Sequence, residues 1–268
     1  MAARKHRPDD PDSSGRARPK RGAGGRRRPP ERAVWLYGVH AVRAALANPA
    51  RRTLRLLATE AAAAALGAAG ARAEIVPRPA IDAVVRAGAV HQGLALQTMP
   101  LEPPALARVL AEAPAGGAVL VVLDQLTDPH NTGAILRSAA AFGACAVVAT
   151  TRHAAAETGA LAKAAAGALE LVPLIAVPNL ARALDQIAEA EFWVLGLDAG
   201  AARTLDQAAP PARVAIVLGA EGGGLRRLTR ERCDELVRLP MSPAVNSLNV
   251  SNAAAIALWE LTRRLRPA

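Results

Sequence analysis

Apolar positions along this chain switch repeatedly between helical and strand spacing. In LYGVHAVRAALANP, Val39, Val42, Ala45 and Leu46 fall on one face and predict a short helix. TLRLLAT predicts a strand, EAAAAALGAAG a helix stopped by glycine, and AEIVPR a second strand. AIDAVVRAG reads as a short helix and QGLALQT as a further strand. Residues 33–98 therefore form a small α/β unit. Residues 99–117, MPLEPPALARVLAEAPAGG, are rich in Pro and Ala and read as a linker with a turn or two of helix.

From Ala118 to the end, 118–268, a longer alternation begins. AVLVVLD is a continuous apolar run, the pattern of a strand covered on both faces. GAILRSAAAFG follows as a helix, then CAVVAT, ETGALAKAAAGA, LVPLIAV, NLARALDQIAEA, FWVLGLDA, VAIVLGA, LRRLTRERC, ELVRLPM and LNVSNAAAIALWELTRRL. Strands alternating with helices predict an α/β fold with a mostly parallel sheet. Such sheets bind ligands beyond the carboxyl ends of their strands, so those loops are where chemistry is expected.

Charge and composition sharpen this picture. The net charge is +10, but residues 1–32 hold 11 Lys/Arg against 4 Asp/Glu, and the rest of the chain holds 22 against 19. The arm 1–32, with almost nothing to bury, reads as disordered and basic, either a tail that attracts a polyanion or a solubilising one. Aromatics are only 2%, so the core is aliphatic and alanine-rich. Cys145 and Cys233 lie far apart without metal-ligand spacing, which excludes a disulfide framework and a zinc ribbon. No apolar run is long enough for a membrane span, and the basic start lacks the apolar stretch of a secretory signal. A cytoplasmic protein is the expectation.

Three strand ends carry candidate chemistry. After AVLVVLD comes QLTDPHNTGAILR, where Asn131 is an N-cap type, Gly133 permits a close approach and Arg137 projects near the same helix mouth. VLGAEGGGLRR supplies Gly219 and a run of three further glycines with Glu221 inside it. This is neither a dinucleotide fingerprint nor a P-loop, and the acid disfavours a pyrophosphate. LPMSPAVNSLNVSNAA leaves a strand at Leu239 and Met241 and enters a helix near Ser247, Leu248 and Asn249. Asp124 and Glu221 form no paired-carboxylate site, the histidines show no metal spacing, and no metal is expected.

Together and in this order, DPHNTGAILRSAAAFG, IVLGAEGGGLRRLTRERCD and LPMSPAVNSLNVS resemble the three motifs of the SpoU (TrmH) branch of the SPOUT RNA 2′-O-ribose methyltransferases. The resemblance covers 118–265, and the unit beginning LYGVHAVRAAL is similar to the small L30e-like substrate-binding domain that precedes it in several of these enzymes. It implies a trefoil knot made by the segments around 217–250, S-adenosylmethionine as methyl donor, RNA as partner, and a homodimer whose sites are completed across chains. Gly219, Leu239, Met241 and Leu248 would hold the cofactor. Arg137, Asn131, Glu221, Ser247 and Asn249 would act on the ribose and its nucleotide. A 23S ribosomal RNA guanosine is the implied substrate. A transfer RNA guanosine and a large-subunit adenosine are the alternatives, and a non-catalytic RNA-binding assembly protein is the alternative of another class. A nicotinamide oxidoreductase would need a Gly-rich loop after the first strand, which DQLTDPHNTG is not. Neither DNA nor a membrane is an expected partner. Pro243 and Asn246 stand where the family often has a glycine.

Overall fold

The computed structural model of the chain describes residues 32–151, 157–220, 222–242, 244 and 247–265. The arm before Arg32, Glu221, Pro243 and Asn246 lie outside the described residues. The described residues belong to one compact unit, built on two sheets.

The first sheet has four strands, β1 (Val34–Tyr37), β2 (Thr53–Ala58), β3 (Glu74–Ile75) and β4 (Leu94–Thr98), in the order β1-β4-β2-β3. Helices α1 (Val39–Ala47), α2 (Glu60–Leu66) and α3 (Arg78–Asp82) accompany it. The predicted elements are present, with one addition. VWLY is a strand, paired antiparallel with β4 from Val34↔Thr98 to Tyr37↔Ala95. Four apolar residues carry no readable period, so only the pairing identifies them.

The linker contains α4 (Leu106–Glu112), and the larger sheet follows. Its elements are β5 (Ala118–Asp124), α5 (Pro129–Phe142), β6 (Ala146–Thr150), α6 (Gly159–Ala165), β7 (Leu174–Val177), α7 (Leu180–Glu189) and β8 (Trp193–Leu197). Then come β9 (Arg203–Thr204), β10 (Arg213–Gly219), α8 (Arg227–Arg230), β11 (Glu235–Arg238) and α9 (Val250–Leu265). The order is β7-β6-β5-β10-β8-β11-β9, parallel at every pairing. β5 is buried along its whole length, as its unbroken apolar run requires.

Two cores cover this sheet. On one face α5, α6 and α9 pack through Ile135, Leu136, Leu161 and Leu258, and the same core continues into Leu36, Leu56, Leu94 and Leu96 of the small sheet. On the other face α4 and α7 contribute Leu106, Leu110, Leu180, Leu184 and Ile187. Each such buried leucine or isoleucine contributes about 1.5–3 kcal/mol. The two sheets are also joined by ions. The wholly buried Arg51 side chain donates to Glu170 through Nε and Nη2 at 3.2 and 2.6 Å, to the Met99 carbonyl at 3.1 Å, and to Glu157. Glu157 in turn accepts from the Leu101 amide at 3.0 Å.

The chain order reverses between β5 and β10. From β5 the chain moves outward through β6 and β7, while β8 lies on the far side of β10. β5 and β10 are in register up to Gly219↔Asp124. Their carboxyl ends thus open a crevice at the switch point of the sheet.

Candidate active site

The β5 end leads directly into α5. Asp128 caps this helix, accepting from the His130 and Asn131 amides at 3.1 and 3.2 Å, with Pro129 in the first turn. Asn131 is therefore inside the helix, not its cap. Its carboxamide oxygen faces the crevice partner Asn249 instead. Gly133 also has a local reason. A Cβ there would stand 2.6 Å from the Leu161 carbonyl oxygen and 2.9 Å from the Ala165 amide, so glycine is what lets α5 lie against α6.

The β10 end folds back on itself. The Gly224 amide donates to the Ala220 carbonyl at 2.9 Å, closing the loop. A Cβ on Gly219 would lie 2.2–2.5 Å from the backbone of Gly224 and Leu225, so no other residue fits beneath the loop. Its far end is fastened by Asp124, a wholly buried carboxylate that accepts from the Arg226 amide at 3.0 Å and from its Nε at 2.7 Å. Sequence reading saw only a lone acid at Asp124. Its partner lies 102 positions away and is brought close by the strand pairing.

The third loop enters α9 through Asn249. Its side-chain oxygen accepts from the Ser251 amide at 3.0 Å, which is N-cap geometry. Its Nδ2 donates to the Asn131 side-chain oxygen at 2.9 Å. One residue thus caps a helix and ties the first motif to the third.

The second and third of these loops, with the end of β8, line a cavity of about 400 Å³, to which the β5–α5 loop contributes no residue. Gly219, Leu239, Met241, Ser247 and Leu248 all line it, together with Gly222, Gly223 and Gly224. A Cβ on any of those three glycines would meet nothing, so their main chain faces open space. Asp198, Arg230 and Arg238 line it as well and were not anticipated. Asp198 pairs with Arg230 and accepts from the Gly200 amide at 2.8 Å. The signal was available: Asp198 follows β8, another strand end on the same side of the sheet.

Arg137 is placed elsewhere. It is exposed on α5 and opens on a different cavity, between α1 and the turn after α6. Within one chain it does not join Gly219 and Leu248.

The cavity suits S-adenosylmethionine. Its volume is within the roughly 300–1,000 Å³ of small-ligand sites. Apolar walls at Leu218, Leu239, Met241 and Leu248 fit the nucleoside and methylene groups of the cofactor, and bare glycine main chain offers donors and acceptors for adenine and ribose. Asp198 and its ion-pair partner Arg230 add polar groups to the wall. Among the described residues no group of three or more His, Cys, Asp or Glu is arranged for a metal, and no helix there is long and apolar enough to cross a membrane.

Comparison with known proteins agrees with this geometry. Residues 118–259 match the SpoU rRNA Methylase family, and residues 35–104 match the RNA 2′-O ribose methyltransferase substrate binding family. The chain is 42% identical over 243 residues to the 23S rRNA (guanosine-2′-O-)-methyltransferase RlmB of Yersinia pestis, covering 85% of this chain and 96% of that protein. RlmB of Pseudomonas aeruginosa is 39% identical over 240 residues, covering 87% and 97%. Among solved structures, the SpoU methyltransferase AviRb of Streptomyces viridochromogenes, in complex with AdoMet, superposes with a TM-score of 0.73 at 22% identity over 87% of this chain and 90% of that one. The chain belongs to the SpoU family and is an S-adenosylmethionine-dependent RNA ribose 2′-O-methyltransferase.

Proposed function

We propose that the chain methylates the ribose 2′-oxygen of a guanosine in 23S ribosomal RNA, in the cytoplasm and as a homodimer. The observation that carries this reading is that the second and third motif loops line one cavity with the end of β8, while Asn131 of the first motif is bonded to Asn249, next to the cavity-lining Leu248. The substrate comes from the likeness to the RlmB proteins over nearly their whole length.

S-adenosylmethionine supplies a methyl group already activated on a sulfonium. The chain's task is to hold a ribose hydroxyl in line with that methyl and to favour its alkoxide character. Gly219, Leu239, Met241 and Leu248 hold the cofactor, and the knot implied for the segments around 217–250 shapes this pocket. Ser247 and Asn249 bind the target nucleotide. Asn131 orients Asn249 and the ribose. Arg137 donates to the 2′-oxygen and a neighbouring phosphate. A guanidinium holds its proton, so its role is electrostatic. Glu221, in the same loop as Gly219, orients the ribose.

Arg137 reaches a cofactor cavity only if a second chain brings one to it. Support for such a pairing lies on α9. Ile256 and Trp259 are 45% and 53% exposed there, on the side opposite the packed Leu258 and Leu261. An apolar stripe of this kind suits a second copy. The unit 33–98 is read as the L30e-like RNA-binding domain, 99–117 as the linker, 118–268 as the methyltransferase domain, and the arm 1–32 as an added polyanion contact.

The test is a ribose-methylation map of ribosomal RNA from cells lacking this gene. Loss of one 2′-O-methylguanosine in 23S RNA, restored by the parent gene and not by Arg137→Ala, is the expected result. An unchanged map, or a loss confined to transfer RNA, contradicts the proposed substrate.

A further inference from the structure

A second cleft, of about 760 Å³, lies on the other side of the glycine loop from the cofactor cavity. Thr150, Thr151, Asn179, Leu180, Arg226 and Arg227 line it. It sits at the carboxyl ends of β6 and β7, the same end of the sheet as the site already described. We propose that this cleft is a phosphate subsite for the RNA backbone flanking the target nucleotide.

Three independent features point to an anion. First, Thr150 is 6% exposed and its hydroxyl has no hydrogen-bond partner among the described residues. Alternation along β6 turns it the same way as Val148, towards α7, and away from Ala149. A buried hydroxyl left without a bond costs about 1–3 kcal/mol, so its retention needs a reason. Second, the ten-residue α7 begins here. Asn179 satisfies the Arg182 amide at 3.2 Å, which leaves the Leu180 and Ala181 amides at the positive end of the helix dipole. The first turn of α7 carries no acid. Third, the cleft is lined by two arginines and by no carboxylate. Arg226 spends its Nε on Asp124, and its side chain remains 45% exposed. Arg227 is 76% exposed and, among the described residues, pairs with the surface Glu231 at 2.5 Å. Surface pairs of this type exchange easily for a phosphate.

Because Arg226 is fastened to Asp124 at the end of β5, the cleft and the cofactor cavity share one loop as a wall. An RNA strand gripped here is held beside the reacting ribose. The inference rests on the proposed RNA substrate and adds the residues that hold its backbone.

The test uses the full-length enzyme and a fluorescein-labelled oligoribonucleotide. Thr150→Val should keep or raise the melting temperature, because it removes a buried hydroxyl that has no bond among the described residues, and should weaken RNA binding about fivefold. Arg227→Ala should weaken it about tenfold and reduce the slope of log affinity against log salt by about 0.7. S-adenosylmethionine affinity should stay as in the parent for both. RNA affinity and salt slope equal to the parent's in both variants overturn the subsite. So does a Thr150→Val loss matched by a lower melting temperature, which would mean the hydroxyl is structural. Tight saturation by inorganic phosphate with no effect of either substitution on RNA would assign the cleft to a free anion, and also overturns it. A parent that binds neither RNA nor S-adenosylmethionine would instead sink the proposed function, so the two failures are distinguishable.

Discussion

Gly219 concentrates the demands of the site in one missing methyl group. Its Cβ position is occupied by the main chain of Gly224 and Leu225, which cannot withdraw without opening the loop. Gly219→Ala should cost about 1–3 kcal/mol of stability by overpacking and weaken S-adenosylmethionine binding at least tenfold, read by calorimetry. Gly223→Ala meets open space and should leave the fold intact. At the same scale the two thiols are half-buried. Burial, followed by the charges of Asp234 and Asp124, pushes the Cys233 thiol up to about 12, and burial raises Cys145 as well. Thiolate is the reactive form. Native protein at pH 8 should therefore react slowly with iodoacetamide at both positions and rapidly once unfolded in urea. Fast native labelling of Cys233 would contradict its raised thiol.

Elements, in turn, are placed by contacts that sequence patterns do not announce. The strand ends, helix order and three motif loops were legible because period, glycine and capping residues are local signals. β1 was not, since four apolar residues fit any element, and neither was the Asp124–Arg226 fastening, which depends on strand neighbours distant in sequence. Asn131 shows the same limit: its residue type suggests a cap, but Asp128 and Pro129 start the helix earlier and free Asn131 to meet Asn249. The junction between the sheets is another such contact. Arg51 serves two buried carboxylates, Glu157 and Glu170. Burial pushes the Glu157 carboxyl up in spite of Arg51, and Glu170 adds to the rise. A raised carboxyl favours the folded state fully below the ordinary carboxylate pKa and loses that contribution as pH rises through its folded value. Glu157→Gln should thus be neutral or stabilising at pH 7, with the difference vanishing near pH 4. Arg51→Met, which strands both acids, should cost about 3–5 kcal/mol at pH 7. Urea melts at the two pH values check both; a strongly destabilised Glu157→Gln at pH 7 would contradict the sign.

For the whole molecule, the parallel sheet brings the ends of β8, β10 and β11 to one cavity, the first motif is tied to the third by the Asn131–Asn249 bond, and Arg137 lines a different cavity in a single chain. α5 starts at the crevice, yet Arg137 lies just over two turns along it and opens towards α1. The chain order alone suggested that Arg137 would project near the same mouth; the helical phase turns it away. The account therefore expects activity to depend on dimerisation. Trp259→Glu should shift the protein from dimer to monomer in sedimentation and remove methyl transfer, while each monomer still binds S-adenosylmethionine. A Trp259→Glu monomer with full activity would show that one chain suffices. The central claim, that the cleft moves a methyl group onto a ribose oxygen of a 23S guanosine, is tested most directly by labelling. Unmodified 23S RNA is incubated with the enzyme and S-adenosylmethionine carrying a radioactive methyl group, then hydrolysed in alkali, which cannot cleave beside a methylated 2′-oxygen. The account predicts that the label appears in one alkali-resistant dinucleotide containing 2′-O-methylguanosine. Label in alkali-sensitive mononucleotides, meaning a methylated base, or no label at all would contradict it.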